Sequence, residues 1–361
     1  MKIAFVAMRF HTNEYEQIRG LMARDVQVDY YANISAHSEN HSVLTPNVVG
    51  YNFLSRKLFQ GDKRLKYGVM PISAIRQLVR SNPDIVMLKG FTVQTMVLKK
   101  LLSLHRIKSV VYVQRYMESA EGRKGLLWRL LFGKEIMTAV KKCGSSAMEE
   151  RSVGTQHWKF VPFVIRWEMQ AENRKYCQDG ILRFLTVGKF QGRKKLLEIV
   201  QVFAEKYGNN PGYNLTIVGT DYDKRYLQTL KEAVAACSNV RLLKNVDHKD
   251  MGKLYAAHDV FIMGSVHEAA SCSQLEAMGQ GLAVLCCTDN GTASCVISGE
   301  NGYVYEPEDY ENSLGRVMEK IVAEKDRVPE MGQVSLRLIK TKYSIENYVT
   351  YIDEVLAHEG R

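Results

Sequence analysis

Short apolar runs rich in Val, Ile, Leu, Phe and Tyr alternate along most of the chain with longer stretches whose apolar positions follow helical spacing. In the first half, residues 2–8 (KIAFVAM), 26–32 (VQVDYYA), 84–90 (DIVMLKG), 108–114 (KSVVYVQ) and 135–140 (EIMTAV) read as strands buried on both faces. Residues 16–23, 71–81, 92–103 and 125–133 read as helices between them. The second half repeats the scheme. Strands are expected over 181–188, 214–219, 239–245, 259–265, 282–288 and 302–308, and helices over 194–208, 223–237, 249–258, 273–281 and 309–324. Such alternation implies right-handed crossovers and parallel sheets. Each half is therefore expected to be a doubly wound, Rossmann-like α/β unit with ligands outside the carboxyl ends of its strands. The seam falls in the polar, helix-poor stretch 165–180. This predicts one domain over 1–165, a second over 166–340, and a last helix over 341–361 that is free to pack back on the first.

A length of 361 residues suits two domains, and 46% apolar with 24% charged residues excludes wholesale disorder. No uncharged apolar stretch reaches the length of a membrane span, and the apolar run at the N-terminus is too short for a signal peptide. Seven Cys occur without a C-x-x-C pair, and Cys286 and Cys287 are neighbours. That usage fits reduced thiols in the cytoplasm. Net charge changes the picture most. Residues 1–165 carry 25 Lys and Arg against 12 Asp and Glu, a net +13, whereas the remainder is −3. The first half is expected either to meet an anionic partner (a phosphate-bearing acceptor, a membrane surface) or to present a solvated basic face. Nucleic acid is not expected, because no recognised module accompanies the charge. Two basic, apolar stretches stand out, residues 56–66 (RKLFQGDKRLK) and 123–134 around Trp128. The second could lie in a membrane interface or dock within the first domain.

The segment 267–285, HEAASCSQLEAMGQGLAVL, holds the most specific chemistry. Glu268 ends a strand and Glu276 follows it eight positions later, in a helix. Two carboxylates can accept hydrogen bonds from sugar hydroxyls, while the backbone N–H groups of Ala270, Ser271 and Cys272 precede a helix N-terminus suited to phosphate. For Glu276 a second reading stays open: Ser273-Gln274-Leu275-Glu276 matches a capping box. A second site element is VGKFQGRKK, residues 187–195, where Gly188, Lys189, Arg193 and Lys194 place cations between a strand end and a helix start, an anion cradle.

From about residue 181 to 322 the chain resembles family 4 glycosyltransferases, which have the GT-B fold of two facing Rossmann-like domains. The family's Glu, seven residues, then Glu-Ala-Met is matched by Glu268, AASCSQL and Glu276-Ala277-Met278. The resemblance implies a retaining transfer from a nucleoside diphosphate sugar, UDP-linked, with no metal or other cofactor. Glu268 would contact the donor sugar near the reacting carbon, and Glu276 the ribose hydroxyls. Lys189 and Lys194 would hold the diphosphate; Lys189 stands where the family has Arg, which loses the bidentate fork. The base is expected near Asn245 and Val246, with Leu254 and Tyr255 as core. The family's Gly-Phe-Gly after the first Glu is Ala269-Ala270-Ser271 here, a loop less suited to positive φ. The first half matches the family only in layout. His11, Lys89 and Gln114 are acceptor-side candidates because each follows a strand, and the acceptor is expected to be a glycan or lipid-linked. Asp221 and Asp223 spell a metal-type D-x-D but open a helix, where acidic residues suit the dipole. A non-catalytic partner protein and a nucleotide-sugar epimerase are the alternatives to transfer.

Overall fold

A computed structural model of the chain describes residues 1–35, 41–113, 130–132, 136–138, 158–167 and 169–358. These form two compact units, with the chain passing from the first to the second at residues 164 and 165 and returning at residues 342 and 343.

The first unit is built on a sheet ordered β3-β2-β1-β4-β5-β6-β7. Its strands are β1 (Lys2–Ala7), β2 (Gln27–Ala32), β3 (Asn47–Val48), β4 (Ile85–Lys89), β5 (Lys108–Val113), β6 (Ile136–Thr138) and β7 (Trp158–Phe160). The second unit has the order β10-β9-β8-β11-β12-β13. These are β8 (Leu182–Val187), β9 (Tyr213–Gly219), β10 (Val240–Lys244), β11 (Val260–Met263), β12 (Ala283–Cys287) and β13 (Gly302–Tyr305). Every described pairing is parallel. The doubly wound α/β class expected from the alternation of runs is what the chain adopts. The reason is visible in β12, whose five residues AVLCC are all buried: a strand covered by helices on both faces must be apolar throughout.

In both sheets the strand order reverses beside the first strand of the unit, so the carboxyl ends of β1 and β4, and of β8 and β11, flank a switch point. Among the described residues, three α-helices go beyond the expected set. Phe53–Leu58 and Gly61–Tyr67 are too short for a periodic signal. Val328–Lys342 contains Pro329 and Gly332, which read as breakers in isolation. The proline occupies the first turn, where no N–H is required. Gly332 has a different reason: a Cβ there would lie 2.2 Å from the carbonyl oxygen of Gly281, so only glycine admits this contact. The last helix, Ile345–His358, belongs to the first unit, not the second. Of the stretch 123–134, only residues 130–132 lie within the described residues, and Gln114 lies outside them.

Candidate active site

The switch point of the second unit collects the residues singled out in sequence. After β8 the chain runs through Gly188 and Lys189 into a single 3₁₀ turn, Gly192–Lys194. Lys195 then takes a left-handed φ of 55° and the helix Leu196–Tyr207 begins two residues later than its pattern implies. After β11 the chain reaches Glu268. The two loops are joined by a backbone bond from Val266 N–H to the Arg193 carbonyl, 3.1 Å. Side chains complete the junction: Lys194 Nζ donates to Glu268 Oε2 at 2.5 Å and Arg193 Nη1 donates to the same oxygen at 2.7 Å. Gly188 makes room for this, since a Cβ there would press within 3.3 Å of the Lys194 stem.

Burial by itself would raise the Glu268 carboxyl, but the Lys194 ammonium and the Arg193 guanidinium overcome that and hold it below the usual carboxylate range. Two cations against one carboxylate leave this strand end net positive beside a helix start, which is the electrostatic profile of an anion site. Lys195 is not part of it, being paired with Glu198 at 2.6 Å. Lys189, after β8, is exposed, its ammonium 5.5 Å from the centre of the Tyr222 ring.

Glu268 is aimed by its neighbours. His267 has φ of 52°, an uncommon conformation for a residue with a Cβ, held because its backbone N–H and its Nδ1 both lie 2.9 Å from Asp289 Oδ2. Thus the positive φ falls before the glutamate, and Ala269, Ala270 and Ser271 do without one. On the far side the Gly291 N–H donates to the Glu268 carbonyl at 2.9 Å, and Glu268 bridges Asn290. Asn290, Gln274 and Thr292 are buried and bond among themselves, with Thr292 Oγ1 2.7 Å from Asn290 Oδ1 and 2.9 Å from Gln274 Oε1.

Glu276 is not a capping residue. The helix Cys272–Gly279 is capped by Ser271, whose hydroxyl accepts from Gln274 N–H at 3.4 Å, and Glu276 is its fifth residue. Its carboxylate instead accepts from the hydroxyl of buried Tyr255 at 3.0 Å and lies 3.8 Å from His248 Nε2. Burial, then the Glu276 charge, raise the Tyr255 hydroxyl well above its ordinary value, so it stays a donor. Tyr255 is core, as expected, but its polar tip orients the second carboxylate. Asn245, with φ of 53°, follows β10 and donates its N–H to the Gly219 carbonyl at 2.9 Å; Val246 is next in the same turn. The D-x-D pair is accounted for otherwise. Asp223 caps the helix Lys224–Ala235, accepting from Arg225 and Tyr226 N–H at 2.9 and 3.1 Å, and Asp221 pairs with Lys244 at 2.9 Å.

Residues 168–334, nearly the whole second unit, match the family model described as glycosyl transferases group 1. The second unit is a group 1 glycosyl transferase domain. Among curated relatives, the chain is 26% identical over 121 residues to alpha-monoglucosyldiacylglycerol synthase of Acholeplasma laidlawii, covering 34% of this chain and 30% of that one. It is 29% identical over 155 residues to the lipopolysaccharide core biosynthesis glycosyltransferase LpsE of Rhizobium meliloti, covering 42% and 44%. The chain thus matches less than half the length of these relatives. Among solved structures, Anabaena Alr3699/HepE in complex with UDP and glucose superposes with a TM-score of 0.67 at 14% identity, covering 99% of this chain and 100% of that one. That likeness extends over both units and gives the chain the GT-B class expected from the sequence.

Outside the glycosyl transferase domain, two of the three acceptor-side candidates come together at the carboxyl ends of β1 and β4. Lys89 Nζ lies 3.0 Å from Oε1 of Glu14, a buried carboxylate whose other oxygen accepts from the Tyr30 hydroxyl at 2.8 Å. Burial, followed by the charges of Lys89 and Arg9, pushes the His11 imidazole down to about 3, so it is neutral at physiological pH. Glu14 and Tyr30 escape sequence reasoning, because a Glu beside a helix start and a Tyr within a strand each look ordinary.

Proposed function

We propose that the chain is a glycosyltransferase that moves a hexose or N-acetylhexosamine from a UDP-linked donor to a glycan or lipid-linked acceptor, with retention at the anomeric carbon. One observation supports it above the rest: Glu268, Lys194 and Arg193 converge at the carboxyl end of β11, beside the turn that starts the next helix. In this reading the diphosphate draws on Lys194, Arg193 and Lys189, and Glu268 faces the sugar. Glu276, oriented by Tyr255, takes the ribose hydroxyls, near the backbone of Asn245 and Val246. The bond from the anomeric carbon to the donor phosphate oxygen breaks as the acceptor hydroxyl oxygen bonds that carbon. The acceptor proton passes to the departing phosphate on the same face. Fixed cations and backbone N–H groups stabilise the charge that develops on the leaving group, and they need no rearrangement to do so. No metal is required, since the basic side chains already offset the diphosphate. Support for a UDP-linked sugar comes from the Anabaena protein, solved with UDP and glucose. Cys177, Cys237 and Cys287 carry free thiols, which favours a reducing, cytoplasmic setting.

The test is release of UDP by the purified chain from UDP-glucose, UDP-galactose and UDP-N-acetylglucosamine, with and without glycan and lipid-linked acceptors. Glu268→Gln should bind UDP as the parent does and lose turnover by two orders of magnitude or more, on the order of 3 kcal/mol in the barrier. No release from any of these donors, with UDP still bound, would leave the chain a non-catalytic partner protein.

A further inference from the structure

The short helix Phe53–Leu58 presents its residues in reverse. Ser55, its small polar residue, is turned inward, and its hydroxyl accepts from the Val69 N–H at 2.9 Å. Asn52 caps the helix through Ser55 N–H at 2.8 Å and donates its own N–H to the Val69 carbonyl at 2.9 Å. These bonds hold Phe53, Leu54 and Leu58 outward, with exposures of 68%, 64% and 67%. Leu54 and Leu58, four residues apart, share one face. A surface helix of a soluble protein ordinarily does the opposite. The next helix, Gly61–Tyr67, is tied on by the Arg64 guanidinium, which donates to the carbonyls of Phe59 and Arg56 at 2.8 and 3.2 Å. Lys57, Lys63 and Lys66 are exposed around the apolar group, and the five cations of residues 53–67 are opposed by Asp62 alone.

We propose that this pair of helices docks the chain on an anionic lipid surface. Phe53, Leu54 and Leu58 enter the boundary between headgroups and acyl chains, and Arg56, Lys57, Lys63 and Lys66 lie on lipid phosphates. Lysine threaded through an apolar group suits a bilayer interface, where the stem lies in the boundary and the ammonium reaches the headgroups. The core of a protein–protein interface is depleted in Lys, and a second copy of this chain would set like charges against each other. The charge of residues 1–165, a net +13, acts in the same direction. The inference does not depend on the donor chemistry of the second unit, so either can fail alone.

The experiment is sedimentation of the full chain with vesicles of phosphatidylcholine, or of equal parts phosphatidylcholine and phosphatidylglycerol, at about 0.1 and 1 M salt, across which the Debye length falls from about 10 to about 3 Å. Binding to the anionic vesicles that weakens with salt is expected. The pair Lys57→Glu with Lys63→Glu should lower partitioning at least about 25-fold, about fivefold for each cation lost. The pair Leu54→Ser with Leu58→Ser should lower it at either salt while leaving circular dichroism and UDP affinity unchanged. Equal binding to both vesicles, binding to neither, or parental binding by both variants would overturn the proposal. So would self-association of the parent that only the leucine variant loses, which would make a second copy the occupant.

Discussion

Glu268 and Glu276 are both carboxylates of one strand–loop–helix unit, yet their surroundings set them different tasks. Glu268 sits between two cations and stays ionised well into the acid range, whereas Glu276 is held by a neutral phenol. Glu276→Ala should therefore weaken UDP binding about tenfold, the worth of one charge-assisted hydrogen bond pair, and lower stability by about 1–3 kcal/mol because the buried Tyr255 hydroxyl loses its acceptor. Calorimetric titration with UDP checks this; a lower melting temperature with full UDP affinity would make the carboxylate merely structural. A second residue-scale prediction concerns His258, away from that site. Its Nδ1 lies 2.7 Å from the Leu254 carbonyl and must be the protonated nitrogen, so Nε2 accepts from Thr216 Oγ1 at 2.8 Å. Burial, above all, moves this imidazole from 6.5 down to about 4. Between those values the unfolded chain holds a proton that the folded chain refuses, so stability falls as pH drops through the window and changes no further below it. The full window corresponds to roughly 3 kcal/mol, and about 2 kcal/mol of it lies above pH 5. Urea unfolding at pH 7 and pH 5 should show the parent losing about 2 kcal/mol more than His258→Gln.

Elements in this fold depend on a few close backbone approaches. Gly332 lies in a helix, where replacement of Gly by Ala is ordinarily favourable by about 1 kcal/mol. Here the added Cβ would meet the Gly281 carbonyl at 2.2 Å and the Tyr176 hydroxyl at 2.3 Å, groups already bonded to each other at 2.8 Å. Gly332→Ala is expected to destabilise by about 1–3 kcal/mol, the reverse sign, measurable by thermal or urea unfolding. Asp223→Ala should cost about 1 kcal/mol through loss of the helix cap, with donor turnover intact and indifferent to chelator. Activity lost in chelator and restored by manganese would instead make the D-x-D a metal site. These elements also mark what the sequence could convey. Strands such as Ala283–Cys287 were legible because burial on both faces demands unbroken apolar residues. Likewise Glu268, Lys194 and Arg193 stood at recognisable strand ends. Val328–Lys342 was hidden because its glycine answers to a distant carbonyl, and so were the bonds of the Tyr255 hydroxyl to Glu276 and of Thr292 to Gln274, whose partners lie 21 and 18 residues away. The positive φ at His267 was likewise invisible, since Asp289, which holds it, lies 22 residues on.

At the scale of the whole molecule, the chain ends in the unit where it starts. Ile345–His358 packs on the helix Tyr15–Met22, and Gly20 is what allows the approach: a Cβ there would meet Ile345 Cγ1 at 2.5 Å. Arg24 pairs with Glu346, and the Lys108 ammonium donates to the Leu356 carbonyl. Tyr348 and Ile352 are fully buried in the contact, and each such side chain is worth about 1.5–3 kcal/mol. The same helix covers Gln17, close to Glu14, the carboxylate that holds Lys89 and Tyr30. Deleting residues 343–361 should therefore act on the first unit alone. Hydrogen exchange over 15–22 and over β1 is expected to quicken by about tenfold or more for the loss of even one of these side chains. The glycosyl transferase domain, whose core Leu182–Met331 shares no residue with that helix, should bind UDP as before. Quickened exchange over β8–β13, with β1 unchanged, would instead mean that the last helix stabilises the second unit. If the prediction holds, transfer to an acceptor is lost while UDP binding survives, which separates the duties of the two units by one truncation.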